Sequence, residues 1–373
     1  MQRKTAIVFA GGLGLAAYHA GAYEALNRHG ISPVWLAGSS AGAVTAALIA
    51  GNRAEDIMSQ LRSFWNLGGA DAVVDHPWEH LQGWVSAMSA HLFGSAGHFH
   101  PRMPSIDPMR FRSLYDLAPM RQRLQGLIDF GRLNSGDVRI SIAATDVESG
   151  DPVVFDSKHE PIGMDHLMAS CGFLPEFAPV DIGGRLLVDG GFSVNAPFDP
   201  ILESDGEIFT LFVLDLFSRD GDRPRSMEAA AERKNDLMFG NQTFLRLKDK
   251  LEIRALKRGL SGLPQEIADQ VFLLSYRAGP QEPRKILQLF NSGPCDAMAV
   301  WPRRHAASSA RPRSGGHGPA RYPANSFRGQ RSGATYAARR LGSRHLREAP
   351  VVPAFRNGTS FHMSLSRPPL LYG

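Results

Sequence analysis

Gly38-Ser39-Ser40-Ala41-Gly42 sets a serine between two glycines in the pattern G-x-S-x-G. An apolar run at 34–37 precedes it, and a run of small apolar residues at 43–50 follows it. Strand, sharp turn and helix is the context in which such a serine is raised as a nucleophile at the head of a helix. Gly38 and Gly42 are expected to be steric requirements of that crowded turn. The plain alternative for Ser40 is a helix N-cap whose hydroxyl satisfies an orphan amide.

A serine hydroxyl is a weak nucleophile and needs a base. Histidine is the usual one. After Asp189, however, the histidines are His305, His317, His345 and His362, all in a terminal segment of different composition. That argues against a Ser-His-Asp triad. An aspartate serves instead if burial raises its pKa toward the working range. Asp189 fits: it ends an apolar run at 186–188 and precedes Gly190-Gly191, where the backbone can turn tightly. Its plain alternative is an Asp-Gly turn residue.

Acyl transfer at Ser40 also needs donors for an oxyanion. Gly11-Gly12-Leu13-Gly14 follows an apolar run, and the amides of these four residues, with that of Ala41, are the candidates. A competing reading exists for the same stretch. Gly12-Leu13-Gly14-Leu15-Ala16-Ala17 fits the dinucleotide pattern G-x-G-x-x-G/A. That pattern expects an acid about 20 residues on, and Gly38-Ser39-Ser40 stands there. An oxidoreductase reading is weakened accordingly.

The elements that must position these groups follow from periodicity. Strands are predicted at 5–9, 33–37, 138–144, 152–155, 185–188, 208–214 and 271–275. Helices are predicted at 17–28, 41–50, 54–65, 116–127 and 165–170, and a long, charged, solvated one at 224–258. Strands alternating with helices argue for a layered α/β domain. Residues 67–108 differ. They carry Trp78, Trp84, Phe93 and Phe99 with five histidines and scattered Gly and Pro. They read as an aromatic-rich flap over the site or as ordinary packing of an insertion. The histidine spacing is too irregular for a metal site.

The net charge of +5 is a sum of two unlike parts. Residues 297–373 hold 13 Arg, no Lys and one acid, a net +12, whereas residues 1–296 hold 28 basic and 35 acidic side chains, a net −7. Nucleic acid is therefore not an expected partner of the folded body. The tail reads as a disordered basic extension or as GC-rich sequence out of frame. Cys171 and Cys295 make no disulfide framework. No signal-like segment and no run long enough to cross a bilayer is seen, so a cytoplasmic protein with peripheral membrane contact is expected.

Four ordered blocks between about residues 5 and 200 resemble the patatin-like phospholipases. They are Gly11-Gly12-Leu13-Gly14-Leu15-Ala16 with Tyr18-His19-Ala20-Gly21; Gly38-Ser39-Ser40-Ala41-Gly42; Ala144-Thr145-Asp146 through Gly150 with Ala169-Ser170-Cys171 and Leu174-Pro175; and Val188-Asp189-Gly190-Gly191 with Asn195 and Pro197. The resemblance implies a three-layer α/β/α domain with a mostly parallel central sheet. It implies lipid or ester substrates, Ser40 as nucleophile, Asp189 as base, and no metal or organic cofactor. Three departures stand out. Leu13 replaces the third glycine of the family's first block, Leu15 replaces a residue that is often basic there, as in one bacterial branch, and Ala16 replaces a glycine. Residues 1–200 are then expected to form the acyl hydrolase core. Residues 201–290 would be a bacterial extension, partly helical, completing the sheet, and 291–373 the tail. A lipid-binding protein with a decayed site is the alternative.

Overall fold

A computed structural model of the chain describes residues 3–65, 97–102, 113–260, 269–276 and 337–340. Strand β1 (Lys4–Phe9) runs into a 3-10 turn at Leu13–Ala16 and helix α1 (Ala17–Arg28). Then come β2 (Trp35–Ser39), α2 (Ala41–Ala50) and α3 (Ile57–Phe64). A two-residue pairing of β3 (His100–Pro101) with β4 (Tyr115–Asp116) leads to α4 (Ala118–Leu127) and the short α5 (Phe130–Leu133). Next are β5 (Arg139–Asp146), β6 (Pro152–Asp156), α6 (Met164–Ser170), β7 (Val180–Ile182) and β8 (Arg185–Asp189). The last elements are α7 (Asp199–Glu203), β9 (Phe209–Asp215), α8 (Met227–Leu260), β10 (Gln270–Ser275) and β11 (Ala337–Arg340).

The sheet runs in the order β11-β10-β9-β1-β2-β5-β8-β7, with β6 also paired to β5. Its centre is parallel: β10 with β9, β9 with β1, β1 with β2, and β2 with β5. The flanks are antiparallel, at β5–β6, β5–β8, β7–β8 and β10–β11.

The strands read with a period of two, and each face has its own core. Ile7, Phe9, Leu36, Ile140, Ile142 and Leu214 point to one side, against α1, α2, α3 and α4. Ala6, Val8, Trp35, Ala37, Leu211 and Val213 point to the other, against α7 and α8. Helices cover both faces because parallel strands bury both. The result is three layers, α/β/α. Helix α2 is buried along its whole length, which its small residues permit.

The long charged helix differs from the solvated one expected. Thr243, Phe244, Leu247 and Arg254 of α8 are buried. The Arg254 guanidinium pairs with Asp269 at 2.7 Å and donates to the carbonyls of Leu202, Ser204 and Glu207. Long basic side chains can bury a stem and keep a charged end paired, so a charged sequence concealed a packed face. Most of the aromatic-rich 67–108 segment, and nearly all of the Arg-rich tail, lie outside the described residues.

Candidate active site

Register brings the serine and the aspartate together. Ser39 at the end of β2 pairs with Ala143 of β5, and the next residue of β5, Ala144, pairs with Asp189 at the end of β8. Ser40 and Asp189 therefore flank one intervening strand at the same height. Backbones two strands apart are about 9–10 Å from each other, a gap that two short side chains leaning over β5 can close.

The turn at Ser40 is tight in a measurable way. Ser40 has φ 55° and ψ −128°, a left-handed conformation rare for a residue with a side chain and strained by about 1–3 kcal/mol. A Cβ at Gly38 would stand 2.4 Å from the Gly42 carbonyl carbon, and one at Gly42 would stand 2.1 Å from the Phe9 carbonyl oxygen. Helix α2 thus starts in contact with the end of β1, and neither glycine has room for a methyl group. The Ser40 side chain makes no capping bond to α2, which removes the N-cap alternative. Its backbone N–H is instead donated to Ser170 Oγ at 2.8 Å, and that hydroxyl donates to the Ala143 carbonyl at 2.6 Å. Ser170 lay within the third sequence block, but nothing in its spacing marked it as the support of the elbow.

Asp189 is 2% exposed. Its Oδ1 accepts the Gly191 N–H at 2.7 Å, so the turn role expected of an Asp-Gly pair is real. The other oxygen, Oδ2, has no partner in full hydrogen-bond geometry, although the Ser40 hydroxyl is near enough to favour the charged carboxylate. Such contacts are often loose in the absence of substrate. Burial outweighs both polar neighbours and pushes the Asp189 pKa up to about 7. Thr145 Oγ1 fixes the Asp189 carbonyl at 2.9 Å. A Cβ at Gly190 would meet the Ala143 carbonyl oxygen at 2.5 Å, so the Asp189 loop, like the elbow, is pressed onto β5.

The glycine turn lies against the serine: a Cβ at Gly11 would be 3.1 Å from Ser40 Cβ. One amide expected as an oxyanion donor is already committed, since the Gly11 N–H bonds to the Asn195 carbonyl at 3.0 Å. That leaves Gly12, Leu13 and Gly14. They open the 3-10 turn, where N–H groups have no acceptor in a preceding turn. A Cβ at Gly12 would collide with the Leu216 side chain at 2.6 Å. Leu13 adopts φ 49°, the backbone region that glycine enters freely. Its side chain packs beside the cluster of Phe99, Tyr115 and Phe177. Ala41 opens α2, and its N–H is an orphan donor of that helix.

An apolar cavity adjoins these groups. Leu13, Gly14, Ser40, Ala41 and Val44 line it together with Phe64, Trp65, His98, Phe99, Leu117, Met120, Cys171 and Phe177. Sequence reasoning missed most of this wall, because its members come from α3, α4 and loops that periodicity alone does not join. His98, a histidine upstream of the aspartate, is held with its ring against Phe64 and Trp65 at 5.0 and 6.5 Å between centroids. His19, buried in α1, lies edge-on to Phe9 at 5.2 Å, and burial holds its pKa down at about 3, so it is a neutral core residue. Among the described residues no group of side chains is placed to hold a metal ion. Among them also, no helix is long and apolar enough to cross a membrane.

A search of curated proteins returned no match. Among solved structures, VipD from Legionella pneumophila is similar at 14% identity and a TM-score of 0.38, covering 82% of this chain and 67% of that chain. ExoU of the type III secretion system of Pseudomonas aeruginosa, solved in complex with SpcU, is similar at 18% identity and a TM-score of 0.30, covering 68% of this chain and 53% of that one. The family model described as patatin-like phospholipase matches residues 7–202, which include the glycine turn, the elbow and the Asp189 loop. That match takes in just over half of the sequence, and on it the chain belongs to the patatin-like phospholipase family.

Proposed function

We propose that the protein is an acyl hydrolase of lipid esters that works through a Ser40–Asp189 dyad and an acyl-enzyme. The observation that carries the reading is a strained serine beside a buried carboxylate with one unsatisfied oxygen. Asp189 takes the proton of Ser40 Oγ as that oxygen attacks the ester carbonyl. The N–H groups of Ala41 and of Gly12, Leu13 or Gly14 hold the oxyanion. The proton passes to the departing alcohol, leaving an acyl group on Ser40. Water then attacks, Asp189 takes its proton, and Ser40 regains one as the fatty acid leaves. The apolar wall around Phe64, Phe99 and Phe177 is suited to the acyl chain.

The test is hydrolysis of p-nitrophenyl esters and of phospholipid vesicles. Ser40→Ala and Asp189→Asn are each expected to lower kcat/KM by about 10³-fold or more while the fold persists. Near wild-type activity in either variant would sink the dyad. The reaction needs Asp189 charged, and its pKa is about 7. Activity should therefore be lost as pH falls through about 7 and level off above it, an acid limb absent from a mechanism with an unshifted carboxylate.

The competing reading is a lipid-binding protein whose site no longer turns over, and Leu13 in a glycine conformation favours it. A serine-directed fluorophosphonate separates the two, because a decayed site leaves Ser40 unlabelled.

A further inference from the structure

Helix α8 begins 25 residues beyond the end of the family-matched segment, yet it reaches the site. The Gln242 Oε1 accepts the Asn195 N–H at 2.7 Å, and its Nε2 donates to the Gly191 carbonyl at 3.4 Å. One of these partners touches the proposed base, and the other touches the glycine turn. Gly191 donates its own N–H to Asp189 Oδ1 at 2.7 Å. Asn195 accepts the Gly11 N–H through its carbonyl at 3.0 Å and reaches the Gly11 carbonyl with Nδ2 at 3.4 Å. One side-chain amide thus braces the Asp189 loop at two points, and Asn195 of that loop joins it to the glycine turn.

The helix that carries it is fixed at this point. Thr243 and Phe244 are 2% and 3% exposed. A Cβ at Gly240 would stand 2.9 Å from the Phe217 carbonyl oxygen, so the helix backbone touches the loop after β9. The Phe239 ring lies 4.8 Å from that of Phe217, and its edge would be 3.8 Å from a Cβ at Gly191. Gln242 therefore projects from a packed helix onto two points of the one loop that follows β8, the 3-10 turn at Gly190–Phe192 and Asn195. Displacements of about 1 Å in such a loop can cost up to ~10²-fold in rate.

We propose that Gln242 is a positioning residue for the Ser40–Asp189 reaction, holding the Asp189 loop and the glycine turn in register from outside the family-matched region. The inference rests on the proposed dyad. It gives residues beyond 202 a part in the reaction as well as in the sheet.

The experiment uses the full chain with p-nitrophenyl butyrate, the rate of Ser40 labelling by a fluorophosphonate, and thermal melting. Gln242→Ala should lower kcat by about tenfold with KM changed less than about twofold, and should slow labelling by a similar factor. Gln242→Glu keeps the acceptor for Asn195 and should recover kcat to within about threefold of wild type. Arg246→Ala, one turn along, removes an ion pair to Asp199 at 3.2 Å. It should lower the melting temperature and leave kcat unchanged. Wild-type kcat in Gln242→Ala overturns the proposal. So does a loss of kcat in both Gln242→Ala and Arg246→Ala that simply follows their melting. An inactive wild-type protein, or activity that survives Ser40→Ala, overturns the dyad itself and the inference with it.

Discussion

Leu13 sits where the backbone wants a glycine, at φ 49°, and still places its side chain beside Phe99, Tyr115 and Phe177. Two terms oppose each other there. The left-handed backbone costs about 1–2 kcal/mol for a residue with a Cβ. Covering a half-buried leucine recovers a comparable amount, at roughly 25 cal/mol per Å² of apolar surface. Truncation separates them. Leu13→Ala keeps the strain and loses the contact, whereas Leu13→Gly loses both. Urea unfolding should therefore find the glycine variant more stable than the alanine variant by about 1 kcal/mol, the reverse of the usual order. An alanine variant equal to or better than glycine would show that the turn is not held in this conformation. Leu13 was legible in the sequence as a departure from a glycine pattern. Which way the chain would resolve it was not, because tertiary packing decides the dihedral angle.

At the scale of elements, long periodic segments were readable to within a few residues. Helices α1 and α2 begin and end where the apolar spacing and the flanking glycines place them. β2 begins two residues later than the strand expected at 33–37, after Pro33, with Val34 left 44% exposed. The three-residue β7 was not readable, for it has too few residues to show an alternation and is recognised by its pairing with β8 across Gly183-Gly184. Ser40 and Asp189 were readable as candidates because each stands near glycines that sterics demand. Ser170 and Asn195 stood within the blocks of the resemblance, but what they support was not readable, and Gln242 was not marked at all, since an isolated polar residue carries no period and no spacing. Helix α8 was readable as a helix but not as a packed one, and Arg254 is the reason. Its side chain is 8% exposed and pairs with Asp269, itself 7% exposed. Arg254→Ala would leave that carboxylate to Arg258 at 3.2 Å and the Phe209 N–H, and would take the donor from three carbonyls, a loss of about 3 kcal/mol, the low end for a broken buried pair. Chemical denaturation should record a loss of that order, and a loss below about 1 kcal/mol would mean that α8 is held by its apolar face alone.

Across the whole molecule, the family-matched segment 7–202 is not a closed structure. β9 pairs with β1 along six residues and lies at its other edge from β2. A chain cut after residue 202 would leave β1 with an open, apolar edge and Ile7 and Val8 beside it, a template for pairing with other chains. We expect that fragment to aggregate and to hydrolyse no ester, as judged by sedimentation and by p-nitrophenyl butyrate turnover. A soluble, active fragment would show that β9 and β10 are accessories to the sheet.

The same pairing sets a clock. β1 ends at Phe9 and its partner begins at Phe209, 200 residues later. At roughly 5–20 residues per second, a ribosome needs about 10–40 s to cover that distance. During this interval the first strand made lacks one of its two neighbours, and Gly11 has yet to meet an Asn195 seated by α8. Ser40 emerges early in synthesis, but the geometry proposed to arm it is among the last to form. If Ser40 is the nucleophile, attack on an ester is not expected before α8 has been made and has docked on the loop of Asn195.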